Sequence, residues 1–141
     1  MRRLAGCRRA PQAAAAVFAL CLAPAAMAQS LLTGPEFQSA TEGYTLYFED
    51  ENGDYFGAEQ YFTNRESVWL PREGQCVPGV WSEWDERICF VHYDQVACWR
   101  IYGADGRVTS AEEADEGDAP LRLRIIRRDR SPVLCPDGPG V

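Results

Sequence analysis

The segment Cys89–Cys98 constrains the fold of this chain more than any other feature. Tyr93-Asp94 lies at its centre and predicts a two-residue turn between two β-strands. In that register Cys89 lies opposite Cys98 at a non-hydrogen-bonded pair, where the Cα atoms are about 4.5 Å apart. This separation is within the range that a disulfide tolerates. We therefore predict a β-hairpin that is closed by a Cys89–Cys98 bridge.

The first 28 residues have the three parts of a secretory signal peptide. Four arginines form its positive region, and Ala13–Leu22 is an apolar run, well short of the roughly 20 residues that cross a bilayer. Ala26-Met27-Ala28 supplies the small residues that a signal peptidase reads. We expect cleavage after Ala28 and a periplasmic or secreted location, without membrane insertion.

Export decides how the remaining cysteines are interpreted. Cleavage removes Cys7 and Cys21, and an even number in a small exported domain then predicts two disulfides. By elimination the second bridge joins Cys76 to Cys135. A longer turn in the hairpin would shift the register and pair Cys76 with Cys89 or Cys98 instead. Zinc is disfavoured, because the chain has one histidine and no C-x-x-C pair.

Turn signals divide the rest of the chain into short segments typical of β-strands. Tyr44–Phe48 and Tyr55–Phe62 flank Asn52-Gly53, a pair that favours a type I′ turn. Leu121–Ile125 alternates and is predicted as the last strand, whereas the acidic stretch Ala111–Ala119 is interpreted as a mobile loop. Seven or eight strands in sequential hairpins predict a mostly β fold, an antiparallel meander that forms a small barrel or a strongly curved sheet.

One short helix is predicted before the strands. Thr33 or Gly34 can act as its N-cap, and Pro35 suits the first helical turn. Gly43 is a natural stop, so the helix spans about residues 35–41. Phe37 is its expected anchor on the core.

Residues 29–141 suffice for one domain, with a β domain at 29–130 and a Pro/Gly-rich tail at 131–141. All 14 basic residues are arginines, and the signal peptide holds four of them and no acid, so cleavage changes the formal net charge from −7 to −11. Such a charge argues against nucleic acid and anionic lipid as partners. Half of the remaining arginines lie within residues 122–130, where pairing with acidic neighbours is favoured over an anion site.

Four aromatic residues are candidates for stacking on a ligand. Trp81 and Trp84 are three residues apart, so they fall on opposite sides of a regular strand and one should be more exposed. An exposed tryptophan beside Tyr93 or Tyr102 could stack on a ligand ring. The predicted register of the hairpin places four apolar residues on one face, where they form a candidate core stripe: Ile88, Phe90, Trp99 and Ile101.

The sequence favours no catalytic, metal or cofactor site. His92 has no nucleophile motif beside it, and pairs such as Glu83 and Glu86 arise by chance among 21 acids. Asp50, Asn52 and Asp54 resemble the start of a calcium loop, but the glycine comes one place early and the hairpin explains the segment. We therefore expect a non-enzymatic protein without metal or cofactor.

Some motifs resemble a group of small exported alphaproteobacterial proteins of unknown function. The most specific are Gly74-x-Cys76-x-x-Gly79-x-Trp81, Ile88-Cys89-Phe90-x-His92 and Cys98-Trp99. The resemblance covers roughly residues 36–99 and implies a compact exported β domain, with no catalytic residues to transfer. A looser similarity to lipocalin-like β folds concerns the architecture alone.

These observations favour a protein that binds a small ligand inside a barrel or an envelope protein at a sheet edge. One alternative is an acidic inhibitor or stress-protective envelope protein that acts on a cationic target. Another is a small carboxylate-dependent hydrolase. An interior pocket lined by Trp and Tyr would favour the first, a filled core with an exposed acidic loop the second, and a buried carboxylate with a raised pKa the third.

Intact-mass analysis of the exported protein tests the signal peptide and the bridges together. We expect a chain that starts at Gln29 and takes up no alkylating reagent unless it is first reduced. A cysteine that is alkylated in the non-reduced protein would contradict the two-disulfide prediction.

Overall fold

The computed structural model of the chain describes residues 28–114, 119–136 and 138. Apart from Ala28, the predicted signal peptide at residues 1–28 lies outside the described residues, as do Cys7 and Cys21. In the described ranges no helix has both the length and the apolar character needed to cross a membrane.

Nine strands and one α-helix make up the regular structure of the described residues. In chain order these are β1 (Ser30–Leu31), α1 (Gly34–Thr41), β2 (Thr45–Glu49), β3 (Tyr55–Tyr61), β4 (Glu66–Pro71), β5 (Val77–Trp84), β6 (Arg87–His92), β7 (Gln95–Ala104), β8 (Arg107–Glu113) and β9 (Arg122–Asp129); a 3₁₀ turn, Thr63–Arg65, precedes β4.

The strands form a closed antiparallel barrel. Each strand from β2 to β8 pairs with the strand that follows it, and β9 returns to pair with β2. The predicted meander is therefore confirmed, and it closes into an eight-stranded barrel rather than a curved sheet. The short strand β1 was not predicted; it adds to β7, with Ser30 opposite Gly103.

The cysteine hairpin has the predicted register. His92 lies opposite Gln95, and Cys89 lies opposite Cys98, with Cα atoms 4.0 Å apart. The second bridge joins Cys76 to Cys135, whose Cα atoms are 5.5 Å apart. Both predicted disulfides are confirmed, because the turn has two residues and the register does not slip.

The turn between β2 and β3 differs from the predicted type I′ turn. Gly53 has a φ of +82°, but Asn52 is not among the residues with positive φ. The Asp50 carboxylate accepts hydrogen bonds from the backbone N–H groups of Asn52 and Asp54, at 2.9 and 3.0 Å. An aspartate that binds its own turn in this way favours an Asx-type turn ending in a left-handed glycine. The Asp50 carboxylate, which resembled a calcium ligand in the sequence, is thus hydrogen-bonded within the turn.

The acidic segment is not a loop from its beginning. Strand β8 continues to Glu113, and Ala111 is buried between Ile101 of β7 and Leu123 of β9. The predicted start of the loop at Ala111 is therefore wrong, because a strand whose small residue faces the barrel interior can also contain acidic residues. Residues 115–118 of the predicted loop lie outside the described residues. Glu112 lies opposite Arg122 and binds its guanidinium at 2.8 Å.

Helix α1 closes one end of the barrel. Its N-terminus is held by a capping box in which the Thr33 hydroxyl accepts from the Glu36 N–H and the Glu36 carboxylate accepts from the Thr33 N–H. Phe37 is buried, and its ring lies edge-on to those of Trp81 at 4.9 Å and Tyr61 at 5.5 Å. The predicted helix and its predicted anchor are confirmed.

The two disulfides should stabilise the barrel to different extents. Removing a bridge restores loop entropy to the unfolded chain, which predicts a loss of about 4 kcal/mol for the 59-residue separation of Cys76 and Cys135 and about 2.5 kcal/mol for the nine-residue separation of Cys89 and Cys98. Urea denaturation of the two double-alanine variants measures both losses. A larger loss for the Cys89/Cys98 variant would contradict this ranking.

Candidate functional site

The interior of the barrel is not completely filled. A cavity of about 290 Å³ lies away from helix α1. Most of its wall is apolar, and every strand from β2 to β9 contributes to it. The lining residues are Phe48, Phe56, Glu59, Tyr61, Trp69, Val77, Phe90, His92, Gln95, Ala97, Trp99, Ile101, Ala111 and Leu123.

The cavity has a floor and a mouth. Tyr61 and Phe90 are buried on the helix side, and both rings contact Phe37 of α1. Gln95, beside the β6–β7 turn, is exposed, and Phe56, near the β2–β3 turn, is half-buried. The cavity therefore opens at the end of the barrel opposite to the helix.

A β-bulge turns an additional aromatic ring into the cavity. Phe48 lies opposite Gly57, whereas the next residue of β2, Glu49, lies opposite Tyr55. Phe56 is therefore an extra residue in β3, and its side chain joins that of Glu59 in the wall although the two differ in alternation. Bulges commonly redirect a side chain in this way.

Two glycines leave room for large groups in the wall. A Cβ at Gly57 would lie 2.4 Å from the Trp69 indole, and a Cβ at Gly79 would lie 2.5 Å from the His92 imidazole. Neither distance is possible for real atoms without a shift. The indole and the imidazole can therefore lie against the barrel wall only because these two positions have no side chain.

Glu59 is the acidic group of the cavity wall. It is 6 % exposed, and each carboxylate oxygen accepts one hydroxyl hydrogen bond, from Ser67 at 2.7 Å and from Tyr61 at 3.0 Å. The Nε2 atom of His92 lies 3.8 Å from the same carboxylate and has no hydrogen-bond partner. The strands bring these four residues together from β3, β4 and β6.

Burial controls the protonation of this cluster. It raises the pKa of Glu59 to about 7, although the hydrogen bonds from Ser67 and Tyr61 act in the opposite direction. Burial lowers the pKa of His92, and burial together with the nearby Glu59 raises the pKa of Tyr61 well above its usual value. Burial thus favours the uncharged form of both the Glu59 carboxyl and the His92 imidazole, so their contact does not rest on an ion pair.

The four aromatic residues predicted to contact a ligand lie elsewhere. Trp81 is buried against Phe37, and Trp84 is 65 % exposed, so the prediction that these two differ in exposure is confirmed. Tyr93 is 77 % exposed in the β6–β7 turn, and Tyr102 is a residue of β7 that lies opposite Ser110 of β8. None of the four lines the cavity, and their contact with a ligand stays a prediction.

The predicted core stripe of the hairpin does face inward. Ile88, Phe90 and Ile101 are buried, and Trp99 packs against the same core while also lining the cavity.

The other groups that the sequence singled out are placed as follows. Glu83 and Glu86 are exposed and lie outside the cavity wall. Arg122 pairs with Glu112 and Arg124 with Glu49, as expected of pairing within the sheet. The remaining arginines of the segment are Arg127, which pairs with Asp129 at 3.0 Å, and Arg128 and Arg130, whose guanidinium groups lie over the Tyr44 ring at 3.4 and 4.1 Å. In the described part of the chain, no three His, Cys, Asp or Glu side chains group as metal ligands.

Sequence reasoning missed Glu59 and most of the aromatic wall. The available signal was the spacing Gly57-x-Glu59-x-Tyr61, which places a carboxyl on the same strand face as a glycine and a tyrosine. An acid that shares a strand face with a glycine and a tyrosine in a closed barrel is a candidate for an interior group.

Comparison with protein-family models, with curated proteins and with solved structures finds no match to the chain. The resemblance to small exported alphaproteobacterial proteins therefore stays a prediction.

The raised pKa of Glu59 predicts a pH-dependent stability difference between the protein and its Glu59→Gln variant. Between pH 4.5 and about 7 the folded protein keeps a proton that the unfolded chain loses, so its stability falls as the pH rises. Glutamine does not titrate and escapes this loss. From pH 5 to pH 8 the variant should gain about 2.5 kcal/mol relative to the natural protein.

Urea denaturation of both proteins at a series of pH values measures this gain. Taking the difference between them cancels the contribution of His92, whose lowered pKa acts with the opposite sign. A difference that does not change with pH would contradict a raised pKa at Glu59.

Proposed function

We propose that this protein binds a small, largely apolar ligand in the open cavity of its barrel, in a periplasmic or secreted location. The observation that carries the proposal is the aromatic cavity in the barrel. Its volume of about 290 Å³ is close to the lower limit of the usual range for small-molecule sites. The two disulfides fit an oxidising, exported location.

The composition of the wall supports a ligand with one polar end. Six aromatic side chains supply a large apolar contact area, and only a few polar groups interrupt them, chiefly Glu59, His92 and Gln95. Such a wall binds an apolar body through burial and orients it through a few hydrogen bonds. Because helix α1 closes the other end, a ligand would enter past the β6–β7 turn.

A carboxylate-dependent reaction is the second candidate function. A buried carboxyl with a pKa of about 7 has the property that general acid–base catalysis requires. Glu59 is, however, the one carboxyl in the described cavity wall, whereas a hydrolase of the predicted type uses two. Ligand binding requires no second carboxyl, whereas hydrolysis of the predicted type requires one that the described cavity wall does not contain. The acidic-inhibitor and envelope-partner alternatives stay predictions.

A cavity-filling variant tests the proposal. Ala97 lines the cavity, so Ala97→Phe should occupy it, and Ala97→Leu should occupy it in part. The probe is 2-phenylethanol, a small neutral aromatic molecule, and its binding is followed by tryptophan emission because Trp69 and Trp99 lie in the wall. We expect saturable binding to the natural protein, at least tenfold weaker binding to Ala97→Phe and an intermediate affinity for Ala97→Leu.

Val96→Phe is the matched control. Val96 is the neighbour of Ala97 on the outer face and is 64 % exposed, so the same ring there leaves the cavity open. This variant should bind the probe as the natural protein does. Equal loss in both variants, or no saturable binding to the natural protein, would overturn the proposal.

A further inference from the structure

The charge balance of the cavity wall suggests which ligands it would prefer. Its titratable groups are Glu59 and Tyr61 from β3 and His92 from β6; the described lining residues of β2, β4, β5, β7, β8 and β9 carry none. The cavity wall therefore contains an acid and no arginine to neutralise it. Unless the carboxyl is protonated, a ligand must supply the missing positive charge.

The Glu59 carboxylate can still accept hydrogen bonds. It accepts two, from Ser67 and from Tyr61, and an ionised carboxylate has about four acceptor sites. Both hydroxyl groups act as donors to the charged form and hold it in place. The cavity thus contains a fixed, oriented acceptor that a charged donor could complete.

The surrounding rings suit the same kind of group. The ring centroids of Phe48 and Phe56 both lie 5.8 Å from that of the Trp69 indole. The Phe90 ring stacks on the His92 imidazole at 6.1 Å. Aromatic faces attract cations, and they do so more strongly where water is excluded. An apolar amine could pair its ammonium with Glu59 and place its hydrocarbon part against the rings.

We propose that the cavity selects small organic cations, primary amines with an aromatic or branched aliphatic body, whose ammonium group pairs with the Glu59 carboxylate. This inference rests on the proposed function and narrows it to one ligand class. The negative charge of the exported chain acts in the same direction, since it raises the local concentration of cations.

Matched probes test the selection. 2-Phenylethylamine, a cation below about pH 9, is compared at pH 8 with neutral 2-phenylethanol, which has the same ring and chain. The natural protein should bind the amine at least tenfold more tightly. Glu59→Gln should abolish this preference and leave the affinity for the alcohol within about threefold. Glu66→Gln is the control, because Glu66 is exposed at the start of β4 and its loss changes the net charge equally.

The pH dependence provides a second, independent readout. Amine binding should weaken at least tenfold from pH 8 to pH 5.5 as Glu59 takes up a proton, whereas alcohol binding should not change. Protonation of His92 at the lower pH would act in the same direction. Ser67→Ala removes one donor to the carboxylate and should move the midpoint of the amine profile to higher pH. This variant carries the test if Glu59→Gln does not fold.

The outcomes separate the two proposals. Equal affinities for the two probes, a preference that survives in Glu59→Gln, or an unchanged midpoint in Ser67→Ala would overturn the selection of amines. In those cases, alcohol binding that Ala97→Phe removes would leave the proposed function standing. If neither the amine nor the alcohol binds, both the selection of amines and the proposed function are overturned.

Discussion

Pairing of β9 with β2 is the constraint on which the rest of this structure depends. It joins the two ends of an eight-strand meander, so that one face of every strand becomes an interior. An interior must be filled or remain hollow, and here the two ends differ. Phe37 enters one end on a short capped helix, and no corresponding element of the described chain enters the other. The cavity follows from this difference, because the barrel is closed and helix α1 fills its interior at one end only.

Glu59 connects that geometry to chemistry. Closure of the barrel removes the Glu59 carboxyl from water, which disfavours its charged form. The pKa therefore rises to about 7. Ser67 and Tyr61 offset part of the cost through their hydroxyl groups. A side chain that opposes folding at neutral pH persists in a core only where other interactions compensate, and such groups are concentrated at functional sites.

Local features of the chain were predictable, whereas most of the residues that form the cavity wall were not. The register from Cys89 to Cys98 follows from a two-residue turn, and the helix around Phe37 follows from its cap, because both depend on residues close in sequence. Whether Glu59 faces inward depends on closure, and the place of Phe56 depends on a bulge that reverses the alternation of β3. Composition also misled the assignment of residues 111–113, where acidic neighbours concealed a strand whose small residue faces the core.

The bridge between Cys76 and Cys135 has a consequence for how the mouth can move. Cys76 directly precedes Val77, which lines the cavity, and its partner lies in the C-terminal segment. That segment is also held to the barrel, since the Thr45 hydroxyl donates to the Ser131 carbonyl and the Val133 N–H donates to Gln60. The rim beside β5 is therefore anchored to a strap that crosses the outside of the barrel. The covalent link and the two hydrogen bonds therefore tie the C-terminal segment to the same barrel whose strands form the entrance.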